Sequence, residues 1–169
     1  MVDEMESGFG REQLIITLLT AASIFIVVAL TFRSLAIPAI LVLIVQCGLF
    51  ITVSALGAIG GSMYYLALLI VECILMGATI DYGILFTSYY REMRATLSVC
   101  EAIVAAYNGS IHTILTSGTI MVLITAVIGP LFGNPTIEQI VRTLSVGCAS
   151  AMFLILFVLP GILALCDRV

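Results

Sequence analysis

A single aspartate lies deep in a long apolar run, where a carboxyl group has unusual chemistry. Asp81 is nine residues from Tyr90 near the end of this run, roughly 13 Å along a helix that rises 1.5 Å per residue. An aspartate at that depth of a bilayer costs about 2.5–3.5 kcal/mol, so it must face protein or a wet cavity. The chain has no lysine, and no arginine is placed at that depth as a counter-ion. Asp81 is therefore suited to take up and release protons; the alternative is a neutral carboxyl that ties helices together.

The residues around Asp81 predict that another helix packs beside it. Tyr82 follows Asp81 about 100° around the helix, so it is placed to reach a group on another helix or another subunit. Gly77 and Ala78 share the face of Asp81, and small residues let a neighbouring helix approach closely. We therefore expect Gly77 and Ala78 to support helix packing at this site.

Two hydroxyl residues of a later run are candidate neighbours of the carboxyl. Thr116 and Ser117 lie roughly 8 Å from the inner end of their run, within about one helical turn of the depth of Asp81. Their hydroxyls are able to donate hydrogen bonds to Asp81. They are equally able to donate to their own i−4 carbonyls, as is common in membrane helices. The sequence leaves both interpretations open.

A second acid lies in the same run, on the other side of the helix. Glu72 precedes Asp81 by nine residues and is nearer the outer surface, where it can pair with Arg142 or extend outward. We expect Glu72 and Arg142 to form a secondary polar site with a structural role. An intramembrane aspartyl protease needs two carboxyls that share a proton, which acids on opposite faces of one helix do not provide. The sequence therefore predicts no enzyme.

No metal site is expected either. His112 is the one histidine and lies at the inner membrane boundary, where a lone histidine is usually interfacial. The five cysteines are scattered, whereas zinc sites use closely spaced pairs. Packing residues are the simplest interpretation of these cysteines.

The composition restricts the chain to membrane proteins. Of its 169 residues, 62% are hydrophobic and 9% are charged, and the mean hydropathy is +1.28. Soluble domains are about 45–50% apolar and about 25% charged, and disordered chains need low hydrophobicity. Nucleic-acid binding is excluded by a net charge of −4 and the absence of a basic patch.

The length of the apolar runs predicts an all-α bundle of five transmembrane helices. A spanning helix needs about 20 apolar residues, and runs of this length without two-residue alternation exclude a barrel. The predicted spans are Leu14–Phe32, Pro38–Ile59, Tyr64–Tyr90, Ile111–Phe132 and Thr143–Cys166.

Three further features complete the predicted membrane domain, residues 14–169. Residues 1–13 lack the regions of a signal peptide and are interpreted as an extracytoplasmic stub. Residues 91–110 are expected to form an amphipathic cytoplasmic helix that breaks at Asn108–Gly109. Pro160–Gly161 is expected to kink the fifth span.

The distribution of arginines predicts the orientation. With the amino terminus outside, four arginines lie on the cytoplasmic side and two outside, as the positive-inside rule favours. The carboxy terminus is then cytoplasmic, because five spans place the termini on opposite sides.

Several segments resemble the MMPL (mycobacterial membrane protein large) transporters of the RND superfamily. The segment around the aspartate, Gly77-Ala78-Thr79-Ile80-Asp81-Tyr82 followed by Ser88-Tyr89-Tyr90-Arg91-Glu92, resembles the fourth-helix motif of that family. The flanks that agree are Leu30-Thr31-Phe32-Arg33-Ser34, Ile114-Leu115-Thr116-Ser117-Gly118 and Val158-Leu159-Pro160-Gly161-Ile162-Leu163.

The resemblance implies a proton-driven exporter of lipids or other hydrophobic compounds in the bacterial plasma membrane. It gives Asp81 and Tyr82 the role of a proton relay, with protons as the coupling ion and no other cofactor. The five spans then correspond to one half of the transporter core, with a topology similar to a sterol-sensing domain. The expected partners are a second transporter half or a second copy of the chain, besides the bilayer and the hydrophobic substrate. The alternative is a membrane module that senses lipid or sterol without transport, or an inactive transporter fragment.

Overall fold

The chain folds into long helices that follow the apolar runs. A computed structural model describes residues 2–32, 34–58, 65–131 and 133–166, with side chains at 14–32, 34–55, 68–129, 131 and 133–166. The helices are α1 (Val2–Phe32), α2 (Ala36–Ala58), α3 (Tyr65–Arg94), α4 (Val99–Ile128), α5 (Pro135–Phe153) and α6 (Leu159–Cys166). A 3₁₀ turn, Gly129–Leu131, follows α4, and a π-helical turn, Leu154–Val158, joins α5 to α6.

Five helical segments of the described chain are long and apolar enough to cross a bilayer. They are Leu14–Phe32, Ala36–Ala55, Leu68–Arg94, Val99–Ile128 and Pro135–Cys166, of which the last joins α5, the π-helical turn and α6. Helices satisfy all their backbone groups internally, which a bilayer requires of any segment that crosses it. The predicted all-α bundle of five membrane-spanning helices is confirmed.

α3 occupies the centre of the bundle, and a small apolar core holds the other helices against it. α3 contacts α1, α2, α4 and α5. The ring of Phe86 is fully buried and meets Tyr107 of α4 edge to face, with the ring centroids 5.2 Å apart. α1 contributes few buried residues, and large apolar side chains such as Leu18 and Leu30 point outward. This outward apolar surface is what a lipid-facing helix needs.

The amphipathic helix predicted for residues 91–110 is not a separate element. α3 continues to Arg94, a short turn follows, and α4 runs without interruption from Val99 to Ile128. The break predicted at Asn108–Gly109 is therefore wrong. Asn108 is exposed, and Gly109 lies against the ring of Tyr89 of α3. The glycine serves the close approach of two helices, and it does not end one.

The first residues are helical. Residues 1–13 were interpreted as a stub outside the membrane; residues 2–13 continue the helix of the first span as part of α1, and their side of the membrane stays a prediction. No proline interrupts this stretch, so nothing in the sequence forces the helix to begin at the apolar run.

Replacing Gly109 by alanine tests the close contact between α3 and α4. The added methyl group would lie 2.8 Å from Cδ1 and 2.9 Å from Cε1 of Tyr89, and an aromatic ring cannot bend away. We expect Gly109→Ala to destabilise the protein by about 1–3 kcal/mol through overpacking. The higher helix propensity of alanine offsets about 1 kcal/mol of this cost. Thermal unfolding in detergent measures this change. Gly77→Ala is the control, because a methyl group there meets no described atom within 4 Å; equal melting temperatures for the two variants would contradict the assignment.

The π-helical turn has an identifiable cause in Pro160. A proline has no N–H and its ring clashes with the i−4 carbonyl, which is that of Leu156. The turn Leu154–Val158 widens the helix at this point, and the N–H of Leu159 donates to the carbonyl of Leu154. The hydroxyl of Tyr107 donates to the carbonyl of Leu156. The predicted distortion by Pro160 therefore takes the form of a π-helical turn, and α4 supplies the missing donor.

A double-mutant cycle tests this compensation. Tyr107→Phe is expected to cost about 1–3 kcal/mol, because it leaves a buried carbonyl without a donor. In a Pro160→Ala background the same change should cost much less, because the alanine N–H becomes a donor for the Leu156 carbonyl. Unfolding free energies of the four proteins measure the coupling. Strictly additive effects would show that the tyrosine does not replace the proline's missing bond.

Candidate functional site

Asp81 lies near the middle of α3 on a face that points out of the bundle. Its side chain is exposed, as are those of Ile74 and Ser88 on the same face. In the part of the chain that the structure describes, no residue donates a hydrogen bond or forms an ion pair with the Asp81 carboxylate. Asp81 therefore presents its carboxyl to the surroundings of this bundle.

The two sides of α3 differ in how their glycines are packed. A methyl group added at Gly83 would lie 2.7 Å from Cδ2 of Leu41, so this side is pressed against α2. A methyl group added at Gly77, on the side of Asp81, meets no described atom within 4 Å. Ala78 is half-buried beside it. Gly77 therefore leaves open space next to Asp81, where a further helix can approach closely.

Tyr82 lies on a different side of α3 from the carboxyl. Its ring is half-buried and packs against the apolar core that contains Phe86 and Ile155. The separation of about 100° expected for consecutive residues thus gives Asp81 and Tyr82 different surroundings. Within this chain the tyrosine faces partly inward and the aspartate faces outward.

Thr116 and Ser117 do not bond to the carboxyl in this arrangement. Both are exposed on α4, and the hydroxyl of Ser117 donates to the Thr113 carbonyl at 2.7 Å. The local bond to the i−4 carbonyl, which the sequence left open, is therefore the one that Ser117 makes.

Glu72 is buried, which the sequence did not predict. Its side chain is 2% exposed, and the hydroxyl of Thr17 in α1 donates to Oε1 of Glu72 at 2.8 Å. Thr52 of α2 and Thr143 of α5 are also buried and line the same cavity of about 20 Å³. A cavity of that volume accommodates about one water molecule. Of the two arrangements that the sequence left open for Glu72, extension to the outer surface is therefore not the one observed.

Arg142 does not line the cavity at Glu72. It is exposed and lines a groove between α4 and α5 together with Glu138, four residues earlier on the same helix. The cavity at Glu72 and the groove at Arg142 share no lining residue. The signal that sequence reasoning missed is the hydroxyl residue in each of three other spans, Thr17, Thr52 and Thr143.

The comparison with known proteins agrees with this architecture. The model of the MMPL family matches residues 1–169. The chain belongs to the MMPL family. No curated protein and no solved structure matches it. The family consists of transporters, so the MMPL chain is a multi-pass membrane protein and a transporter-like module, and the resemblance noted in its motifs is confirmed.

Proposed function

We propose that this MMPL chain is the transmembrane part of a proton-motive-force-driven exporter of lipids or hydrophobic compounds. The observation that supports the proposal is the exposed Asp81 carboxyl in the middle of a membrane-spanning helix. An ionisable residue at this depth is rare and usually belongs to an ion or proton pathway. We assign Asp81 and Tyr82 to an intramembrane proton relay.

A second protein surface covers Asp81 in the working transporter. Contact of the carboxyl with lipid costs about 2.5–3.5 kcal/mol, which burial against another protein removes. The open space at Gly77 permits a close approach of the helix that supplies this surface. The partner is either a second transporter half or a second copy of this chain, and it brings its own polar group to the interface.

Protonation of Asp81 couples the proton gradient to movement. The charged carboxylate favours an arrangement in which water or a donor reaches it, and the neutral acid favours closer apolar packing of the two halves. A proton gradient then biases the equilibrium between the two arrangements, because the carboxyl binds a proton from one side of the membrane and releases it to the other. The location proposed from the resemblance to the MMPL transporters is the bacterial plasma membrane, and the arginine distribution favours an amino terminus outside.

Proton movement by the reconstituted complex tests this function. The complex is purified gently from its own membrane and placed in vesicles made from the lipid extract of that membrane, with a pH-sensitive dye inside. An imposed pH gradient should decay faster than in protein-free vesicles, and a protonophore should abolish the difference. A decay rate equal to that of protein-free vesicles would contradict the proposal.

A module that binds lipid without transport is the second candidate. The observation that favours it is the single Asp-Tyr pair in the chain, since a relay between halves requires a second pair. This candidate predicts lipid binding that is unaffected by Asp81→Asn and by a pH gradient. The vesicle experiment described above separates the two functions, because a module that only binds lipid leaves the decay of the pH gradient equal to that of protein-free vesicles.

A further inference from the structure

A groove with charges of both signs lies between the end of α4 and the beginning of α5. Its volume is about 250 Å³, which is about that of eight water molecules in the liquid. Glu138 and Arg142 of α5 supply its charged lining, and Ala126 and Val146 supply apolar walls. The proposed proton relay uses none of these residues.

Two hydroxyl residues fix the groove between the helices. The hydroxyl of Ser145 in α5 donates to the carbonyl of Val122 in α4 at 3.2 Å. The hydroxyl of Thr125 is part-buried and donates to the carbonyl of Met121 at 2.7 Å. Because both hydroxyl groups already donate within the protein, the charged side chains of Glu138 and Arg142 are the groups that are able to recognise a ligand.

The two charges of the groove do not neutralise each other. A glutamate four residues before an arginine often forms an ion pair on a helix surface. In the part of the chain that the structure describes, however, neither Glu138 nor Arg142 forms a hydrogen bond or an ion pair, and both side chains are exposed. The groove therefore offers an anion and a cation, side by side, to a molecule that carries both charges.

The position of the groove along its span selects a molecule of the bilayer. The span Pro135–Cys166 has 32 residues, roughly 48 Å of helix, whereas the hydrocarbon core is about 30 Å thick. The first turns of α5 therefore extend into the headgroup layer. Glu138, Arg142 and Val146 follow at intervals of four residues, roughly 6 Å each, on one face of α5. From the membrane surface inward, this face presents an acid, a base and an apolar side chain.

We propose that this groove binds a bilayer phospholipid whose headgroup carries a phosphate and a primary ammonium group, of the phosphatidylethanolamine type. The ammonium group donates to the Glu138 carboxylate, and the phosphodiester accepts charge-assisted hydrogen bonds from Arg142. The first acyl carbons then lie against Val146. The order of amine, phosphate and acyl chain in this lipid matches the order of the three residues. This inference does not depend on the proton relay.

The headgroup preference of the purified complex tests the proposal. The complex is placed in nanodiscs with equal amounts of phosphatidylethanolamine, phosphatidylcholine and phosphatidylglycerol, extracted into mild detergent, and its retained lipids are measured by native mass spectrometry. We expect phosphatidylethanolamine to be enriched, because the choline group has no N–H to donate and the glycerol headgroup has no positive charge. Equal retention of the three lipids by the wild type would overturn the proposal.

A pair of acid variants shows whether the preference comes from this groove. Glu138→Gln should reduce the preference for phosphatidylethanolamine over phosphatidylcholine about three-fold, as expected for the loss of one exposed ion pair. Glu92→Gln is the matched control, because it neutralises an exposed glutamate outside this groove. An unchanged preference in Glu138→Gln would overturn the proposal, as would equal losses in the two variants.

A second pair of variants keeps both charges and changes the space in the groove. Ala126→Phe fills the groove from α4 and should reduce phosphatidylethanolamine retention at least as strongly as Glu138→Gln. Val127→Phe places the same ring on the next residue of α4, which is 63% exposed and does not line the groove, and should have little effect. Undiminished retention in Ala126→Phe would overturn the assignment to this groove.

A final arm uses glycerophosphoethanolamine, which carries the same headgroup without acyl chains. We expect no adduct at concentrations that leave phosphatidylethanolamine bound, because the soluble compound gains nothing from Val146. Adducts that disappear in Glu138→Gln, together with no preference among the three phospholipids, would overturn the lipid assignment in favour of a soluble ligand.

Discussion

Replacing Asp81 by asparagine should abolish proton-coupled transport and leave the fold intact. Asparagine has nearly the same shape as aspartate but cannot bind and release a proton, so the relay loses its carrier. Asp81 is exposed and makes no bond to any residue that the structure describes, so the fold of this chain does not depend on its charge. We expect the decay of an imposed pH gradient to fall to the level of protein-free vesicles, with an unchanged melting temperature.

The second acid of the same helix provides a matched control. Glu72 is buried and accepts a hydrogen bond from Thr17, so Glu72→Gln preserves an acceptor while removing the ionisable group. This variant should retain proton-coupled transport, because Glu72 lies on the opposite side of α3 from Asp81. Undiminished transport by Asp81→Asn would refute the proposed relay. Equal loss in both variants would show that the assay reports damage to α3 and does not report a specific proton carrier.

Replacing Gly77 by phenylalanine should separate the chain from its partner. We propose that a second helix approaches the carboxyl at the open space beside Gly77, and a large ring there would displace that helix. Overpacking of this kind costs about 1–3 kcal/mol, which corresponds to roughly a 5- to 150-fold weaker association. Cross-linking yield or the mass of the complex at decreasing protein concentration measures the change.

Two controls show whether the effect is specific to this face. Gly77→Ala adds one methyl group to the same open space and should weaken association far less. Gly161→Phe places the same ring at another glycine beside which the structure describes no atom within 4 Å, on α6. Both variants should assemble nearly as well as the wild type. Dissociation by Gly161→Phe but not by Gly77→Phe would place the interface on α6 and contradict the assignment to α3.

The periodicity and length of the apolar runs were sufficient to predict the fold. Each predicted span lies largely within a described helix, because about 20 apolar residues in a bilayer have few alternatives to a helix. The residues at which the helices begin and end were less predictable. α4 begins at Val99, because Ser98 and Glu101 form a capping box there and Gly109 is a packing residue. A glycine that ends a helix and one that admits an aromatic ring look the same in a single sequence.

The part of the candidate site that depends on a single residue, Asp81, was predictable from the sequence. The position of Asp81 within its span followed from counting along a helix, and its exposed side chain makes no bond to any residue that the structure describes. The surroundings of Glu72 depend on how four helices are arranged, so no spacing along the sequence revealed its contact with Thr17.

We propose that another protein surface covers Asp81 in the membrane. The most direct test is the intact mass of the complex, purified gently from its native membrane and measured by native mass spectrometry. We expect either two copies of the chain or one copy with a second membrane protein, and Gly77→Phe should convert either complex into the single chain. A single chain from the wild-type membrane, with no protein partner, would contradict the proposed cover of Asp81.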